Sequence, residues 1–322
     1  MATLVSPEPY APFMTSPRIP VELVLKTIQH LPFQDGNQIA TLRTAHPRLR
    51  ALFTNYEHSI AKHFMKNELR HAQTDFPCHE TRLSVDWLAT CVKSYDTVDE
   101  VMHALCSPHN NHAIPRHNIP LANAGLLLLY RLAAQDSHAH KLTYLTTLPN
   151  DALTALYLTL HHATLTARYT GSGWINQRSY GRFMDANQIS LRTDLEFSFV
   201  EAVLCSADGP ALILDTLLGR PCAEITLLNV YHECGTRDWA WPCWGDGKGE
   251  FEPPRTQGPV REVRGGSTLY SCLLEGLARG LGCGIEGVRG KVEERLAERG
   301  SGIAWLSLEG KARLLLGLDV DV

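Results

Sequence analysis

A chain of 322 residues, 44% hydrophobic and 20% charged, has the composition of a folded globular protein and a length that fits about two domains. Its 30 basic and 34 acidic residues leave a formal charge of −4, too balanced for a nucleic-acid footprint. The longest apolar run, Leu126-Leu127-Leu128-Leu129-Tyr130, stops at Arg131, far short of the roughly 18–20 residues of a membrane span, so a soluble protein is expected.

Residues 1–17 carry four prolines and no basic start followed by an apolar core, which reads as a disordered lead rather than a secretion signal. After Pro20, the residues Val21, Val24, Leu25 and Ile28 recur at the spacing of one buried helix face, with Glu22 placing negative charge in the first turn. Thr54-Asn55-Tyr56-Glu57 and Thr97-Val98-Asp99-Glu100 match the capping box, so helix starts are expected at both. Further helices are expected from Asn150 onward, along Leu191, Leu195, Phe199 and Val203, and along Leu269, Leu273, Leu277 and Leu281. Glu224 to Val230 is the best short strand candidate, and Cys234 to Gly266 reads as a long loop. The fold class is therefore mainly α, with irregular long loops. Near residue 170 the composition shifts: 14 of 15 histidines lie before it and 22 of 24 glycines after it. That shift fits either a domain boundary or a change of loop style within one fold.

Motifs for bond chemistry are sparse, and the expectation is no catalytic residue, no metal and no cofactor. Gly282-Cys283-Gly284-Ile285-Glu286-Gly287 spells G-x-G-x-x-G, but it follows a helical repeat instead of a strand and reads as a helix stop. Nine scattered cysteines, with no C-x-x-C, point to reduced thiols in the cytoplasm or nucleus. The nearest groupings for a metal are Cys222, His232, Cys234 and Cys243, and the histidines His109, His112 and His117; loop or core side chains explain both as well. Asp75 and Glu80 beside Cys78 and His79 read as a solvated loop. Trp239, Trp241 and Trp244 crowd one polar stretch and fit either a substrate-reading surface or anchors that keep a long loop packed.

The most informative pattern lies near the N-terminus. Ile19-Pro20-Val21-Glu22-Leu23 is followed by Ile28 and Leu31, then Ile39 and Leu42-Arg43, then Arg48-Leu49-Arg50-Ala51-Leu52, which fits three short helices. Leu23 and Leu31 extend the apolar stripe of the first helix beyond one face, and about 45 residues cannot bury all of it, so the surplus must pack on the rest of the chain or on another protein. Over 18–55 this segment resembles the F-box, which begins Leu-Pro-x-Glu-Leu and closes with Leu-Arg and a basic, apolar third helix. Ile19 replaces the first leucine, and Gln34-Asp35-Gly36-Asn37-Gln38 lengthens the first link by about two residues. The resemblance implies docking on the Skp adaptor of a cullin-RING ubiquitin ligase, with 56–322 as a helical body holding a protein substrate for ubiquitylation. Ile19, Pro20, Leu23, Ile28, Leu31, Ile39, Leu42 and Leu49 would then supply adaptor contacts or the small core behind them. A helical interaction protein with this segment packed inward is the alternative.

Overall fold

The computed structural model describes residues 13–34, 36–77, 83–181, 184–235, 240–241, 266–297 and 303–320. It is mainly α. In chain order the helices are α1 (Val21–Gln29), α2 (Asn37–Ala45), α3 (Pro47–Asn67), α4 (Ala72–Asp75), α5 (Val85–Leu105), α6 (Ile119–Ala133), α7 (His138–Thr147) and α8 (Asn150–Tyr169). They continue as α9 (Ala186–Cys205), α10 (Gly209–Leu217), α11 (Pro221–Cys234), α12 (Leu269–Leu281), α13 (Val288–Ala297) and α14 (Leu308–Leu315). Two two-residue strands, β1 (Ala240–Trp241) and β2 (Gly266–Ser267), pair antiparallel across the long connection. No described helix is long and apolar enough to cross a membrane.

The chain divides into two units, Met1–Asp96 and Thr97–Val322, and the division falls inside α5. Residue 170 is the C-cap of α8, within the second unit. In the first unit, Val24 and Ile28 of α1, Ile39 of α2 and Leu49, Phe53, Ile60 and Phe64 of α3 close a core with Phe33, Val85 and Leu88. Met14, in the short 3-10 turn Phe13–Thr15, packs against its edge. The lengthened link is held from two sides. Gly36 adopts φ +77°, where a side chain would be strained, and its N–H donates to the Phe33 carbonyl at 2.8 Å. Glu68, just past α3, accepts the Phe33 N–H through both carboxylate oxygens at 3.0 and 3.2 Å.

In the second unit α8 runs through the middle, with every residue from Asp151 to Leu160 buried. Helices α6, α9, α10, α12 and α14 pack around it. The approach of α6 needs Gly125, because a Cβ there would overlap the Thr159 hydroxyl and the Ala155 carbonyl. Thr159 also donates across to the Ala122 carbonyl at 3.0 Å, so the polar group at this crossing is satisfied.

Three local expectations are corrected. Thr54 starts no helix: His46 already caps α3 by accepting the Arg48 N–H at 3.1 Å, Pro47 follows, and the Thr54 hydroxyl bonds back to the Arg50 carbonyl. Thr97 likewise lies inside α5, whose first turn is held by the Ser84 hydroxyl accepting from the Trp87 N–H. Glu224 to Val230 is helix, not strand; Pro221 opens α11, Thr226 bonds back to Cys222, and Ala223, Glu224, Leu227 and Cys234 give the helix its buried face. Elsewhere Asn150 does open α8, α9 and α12 run where the leucine repeats lie, and Gly282 at φ +63° ends α12 as a helix stop.

Candidate functional site

The eight N-terminal residues separate into two kinds. Ile28, Ile39 and Leu49 are core, fully buried on α1, α2 and α3. Ile19, Leu31 and Leu42 are partly buried, the first and last against that core. Pro20 is exposed and Leu23 is 48% exposed, although α1 is locked on its opposite face by Val24 and Ile28. The start of α1 is fixed in place by the Arg48 guanidinium, which donates to the Ile19 carbonyl, and α2 by the Arg43–Asp86 ion pair at 3.0 Å. The unit thus presents an apolar Pro-Leu pair on a helix start whose backbone is braced from behind.

The second unit carries a cavity of about 530 Å³ bounded by the 112–118 segment, α8 and α13. Leu158, Leu165, Val292 and Leu296 make its apolar walls, and four histidines converge on it. His162 Nδ1 lies 2.8 Å from the His112 carbonyl and His117 Nε2 lies 2.9 Å from the Leu296 carbonyl. His161 stacks on Tyr157 with centroids 5.6 Å apart, and His112 stacks on Tyr169 at 4.2 Å. Burial is the main force on the two α8 imidazoles: it lowers His162 and, with positive charge from His162 and Arg289 adding to it, pushes His161 down to about 4. Both are neutral at pH 7. Glu293 is 3.9 Å from His161 Nε2 but is held closer, at 2.8 Å, by Arg289 one turn before it on α13. No cysteine, serine or threonine lines the cavity among the described residues, and an imidazole this acidic is a poor general base at neutral pH.

The histidine grouping read from the sequence is therefore partly brought together. His112 and His117 line the cavity with His161 and His162, while His109 does not. The cysteine grouping is pulled apart: Cys222 and Cys234 stand near opposite ends of α11, about 18 Å apart along its axis, with Cys234 buried and His232 and Cys222 exposed. Cys243 lies outside the described residues, as do Trp239, Trp244, Cys78, His79 and Glu80, and of Trp241 only the backbone pairing in β1 is described. Asp75 is not solvated; it is buried and accepts the Tyr95 hydroxyl at 2.8 Å.

One cluster went unread. His138 at the start of α7 meets Glu201 and Cys205 of α9, their ligand-type atoms all within 4.8 Å of one another. Glu201 is fully buried; its two oxygens accept the Leu269 and Tyr270 N–H groups at 3.0 and 2.8 Å, and the Cys205 thiol donates to it at 3.5 Å. Burial raises both Glu201 and Cys205 and lowers His138 and Lys141. The available signal was Glu201 itself, a carboxylate four residues before a cysteine on an otherwise apolar helix face.

No protein-family model matches the chain, and no curated protein or solved structure is significantly similar to it.

Proposed function

We infer that the chain is an F-box-type adaptor, docking on a Skp-type protein of a cullin-RING ubiquitin ligase through its N-terminal helices and recruiting a protein substrate for ubiquitylation. The observation that carries the reading is the outward stance of Pro20 and Leu23, at the motif positions expected to meet the adaptor, on a helix whose other face is already buried. Exposure of Pro20 and Leu23 favours this reading over an inward-packed segment, while Leu31 is partly buried. Such an adaptor works in the cytoplasm or nucleus and makes no bonds itself. The second unit is then the substrate-holding body, and its cavity is the place for a neutral, hydrogen-bonding group of the recruited protein.

Co-expression with a Skp-type adaptor followed by size-exclusion chromatography tests this. The full chain is expected to co-elute with the adaptor, and the Pro20→Glu, Leu23→Glu double variant to elute alone at its own monomer volume with an unchanged helical circular dichroism spectrum. Separate elution of the folded wild-type chain, or equal co-elution of the double variant, would overturn the adaptor assignment.

A further inference from the structure

We propose that His138, Glu201 and Cys205 form a zinc-binding site in the second unit, independent of the adaptor reading. Zinc takes imidazole nitrogen, thiolate sulfur and carboxylate oxygen at about 2.0–2.3 Å, which sets tetrahedral ligand atoms roughly 3.4–3.8 Å apart. The three ligand-type atoms here already lie within 4.8 Å of one another, so closure needs side-chain rotation of about an ångström and no movement of the helices. Glu201 and Cys205 share one face of α9 at i and i+4, so two ligands come from one rigid element, and His138 is supplied by the first residue of α7.

The surroundings are those of a supported site. The Ser267 carbonyl lies 3.2 Å from His138 Nε2 and fixes the ring, and the Leu269 and Tyr270 N–H groups orient the Glu201 carboxylate while leaving each oxygen a second lone pair. A cavity of about 310 Å³ lined by His138, Lys141 and Cys205 gives an entry path and room for a fourth, solvent-derived ligand. Lys141 is a cation beside the cluster. Its ammonium is committed to the Leu204, Cys205 and Ser206 carbonyls at 3.2, 2.7 and 3.4 Å, where it caps the end of α9. On binding, zinc takes the place of the Cys205 thiol proton, which leaves to solvent, and is held by the carboxylate and imidazole in their unprotonated forms. Two anionic ligands then face the metal and the ammonium together. A mixed nitrogen, sulfur and oxygen set of this kind selects zinc over magnesium or calcium, which want oxygen alone.

The test uses the full chain, stripped with chelator and titrated with zinc against a chromophoric competitor, with cobalt as the spectroscopic substitute. Expected are one tight equivalent of zinc, a thiolate-to-cobalt charge-transfer band, and proton release on metal binding by buffer-dependent calorimetry. Cys205→Ser should abolish the band. His138→Ala, at a half-exposed helix start where folding is not at risk, should weaken zinc at least tenfold. Cys272→Ser and the exposed neighbour His140→Ala should bind as the parent does. Absence of tight zinc binding by the folded parent, or a band and affinity that survive both Cys205→Ser and His138→Ala, would overturn the site and leave the thiol–carboxylate contact as a helix cap only.

Discussion

Two helices of this protein begin alike and end up in opposite environments. Ile19-Pro20-Val21-Glu22-Leu23 opens α1, and Leu148-Pro149-Asn150-Asp151-Ala152-Leu153 opens α8; in each, a proline precedes the helix and an acidic residue follows two positions later. On α1 the acidic residue, Glu22, faces solvent and Leu23 is 48% exposed. On α8 Asp151 is buried, held by Arg295 at 2.6 Å and the Val320 N–H at 3.2 Å, and Leu153 is 4% exposed. The start signals are local and identical in physics: proline pre-sets φ, and the carboxylate favours the helix N-terminus. What differs is the number of elements that close over the turn, and that is a property of the unit. The same opening therefore serves as a presented surface on α1 and as a structural joint on α8.

The largest expected effect follows from the joint. Asp151→Ala leaves the Arg295 guanidinium without its buried partner and the Val320 N–H without its acceptor, so it should destabilise the protein by about 3–5 kcal/mol, lowering the melting temperature by about 10 °C. Glu22→Ala, the same change at the matching place on α1, should move it by no more than about 0.5 kcal/mol. Thermal unfolding of the two variants side by side checks the pair. Comparable losses in both would mean that the helix-start charge itself, and not its burial, is what matters.

A second contrast is chemical. His161 on α8 is held neutral, pushed down to about 4 chiefly by burial, from an ordinary value near 6.5. Between those two values the unfolded chain binds the proton that the folded chain refuses, so stability from this group is complete above about pH 6.5 and is lost as pH falls through about 4. The loss should approach about 3 kcal/mol, and His161→Phe, which keeps a ring against Tyr157, should flatten that part of the acid limb. Melting temperatures from pH 7 to pH 4 read it directly. An unchanged acid slope in the variant would place the sensitivity on other groups.

Much of the fold was legible because it depends on neighbours within a turn or two. The leucine spacings marked α9 and α12, Asn150 marked the start of α8, and Gly282 marked the end of α12. Thr54 and Thr97 misled for a physical reason: a Thr-x-x-Glu pattern caps a helix only where the chain enters it, and His46-Pro47 and Ser84 had already made that entry upstream. The N-terminal face was half legible. The motif identified its eight residues, but only packing against Phe33, Phe53 and Phe64 divides core members such as Ile28 from presented ones such as Leu23. The cavity and the His138–Glu201–Cys205 cluster were not legible, because they join distant positions, such as His112 with His162, 50 residues apart, and His117 with Leu296, 179 apart, and no local period carries that information.

The smallest effect on the fold is expected where the effect on partnership is expected to be greatest. Leu153→Ala on α8 removes buried methyl groups from the middle of the second unit and should cost about 2–5 kcal/mol. Leu23→Ala on α1 removes the same atoms from a half-solvated position and should cost about 0.5 kcal/mol or less, because Val24 and Ile28 on the opposite face hold the helix unaided. Denaturant midpoints of the two variants give the comparison. A Leu23→Ala loss approaching that of Leu153→Ala would mean that Leu23 carries packing of its own, and the presented face would then shrink to Pro20. A near-zero loss would show that the fold does not need Leu23 and would leave that side chain free for the docking proposed above.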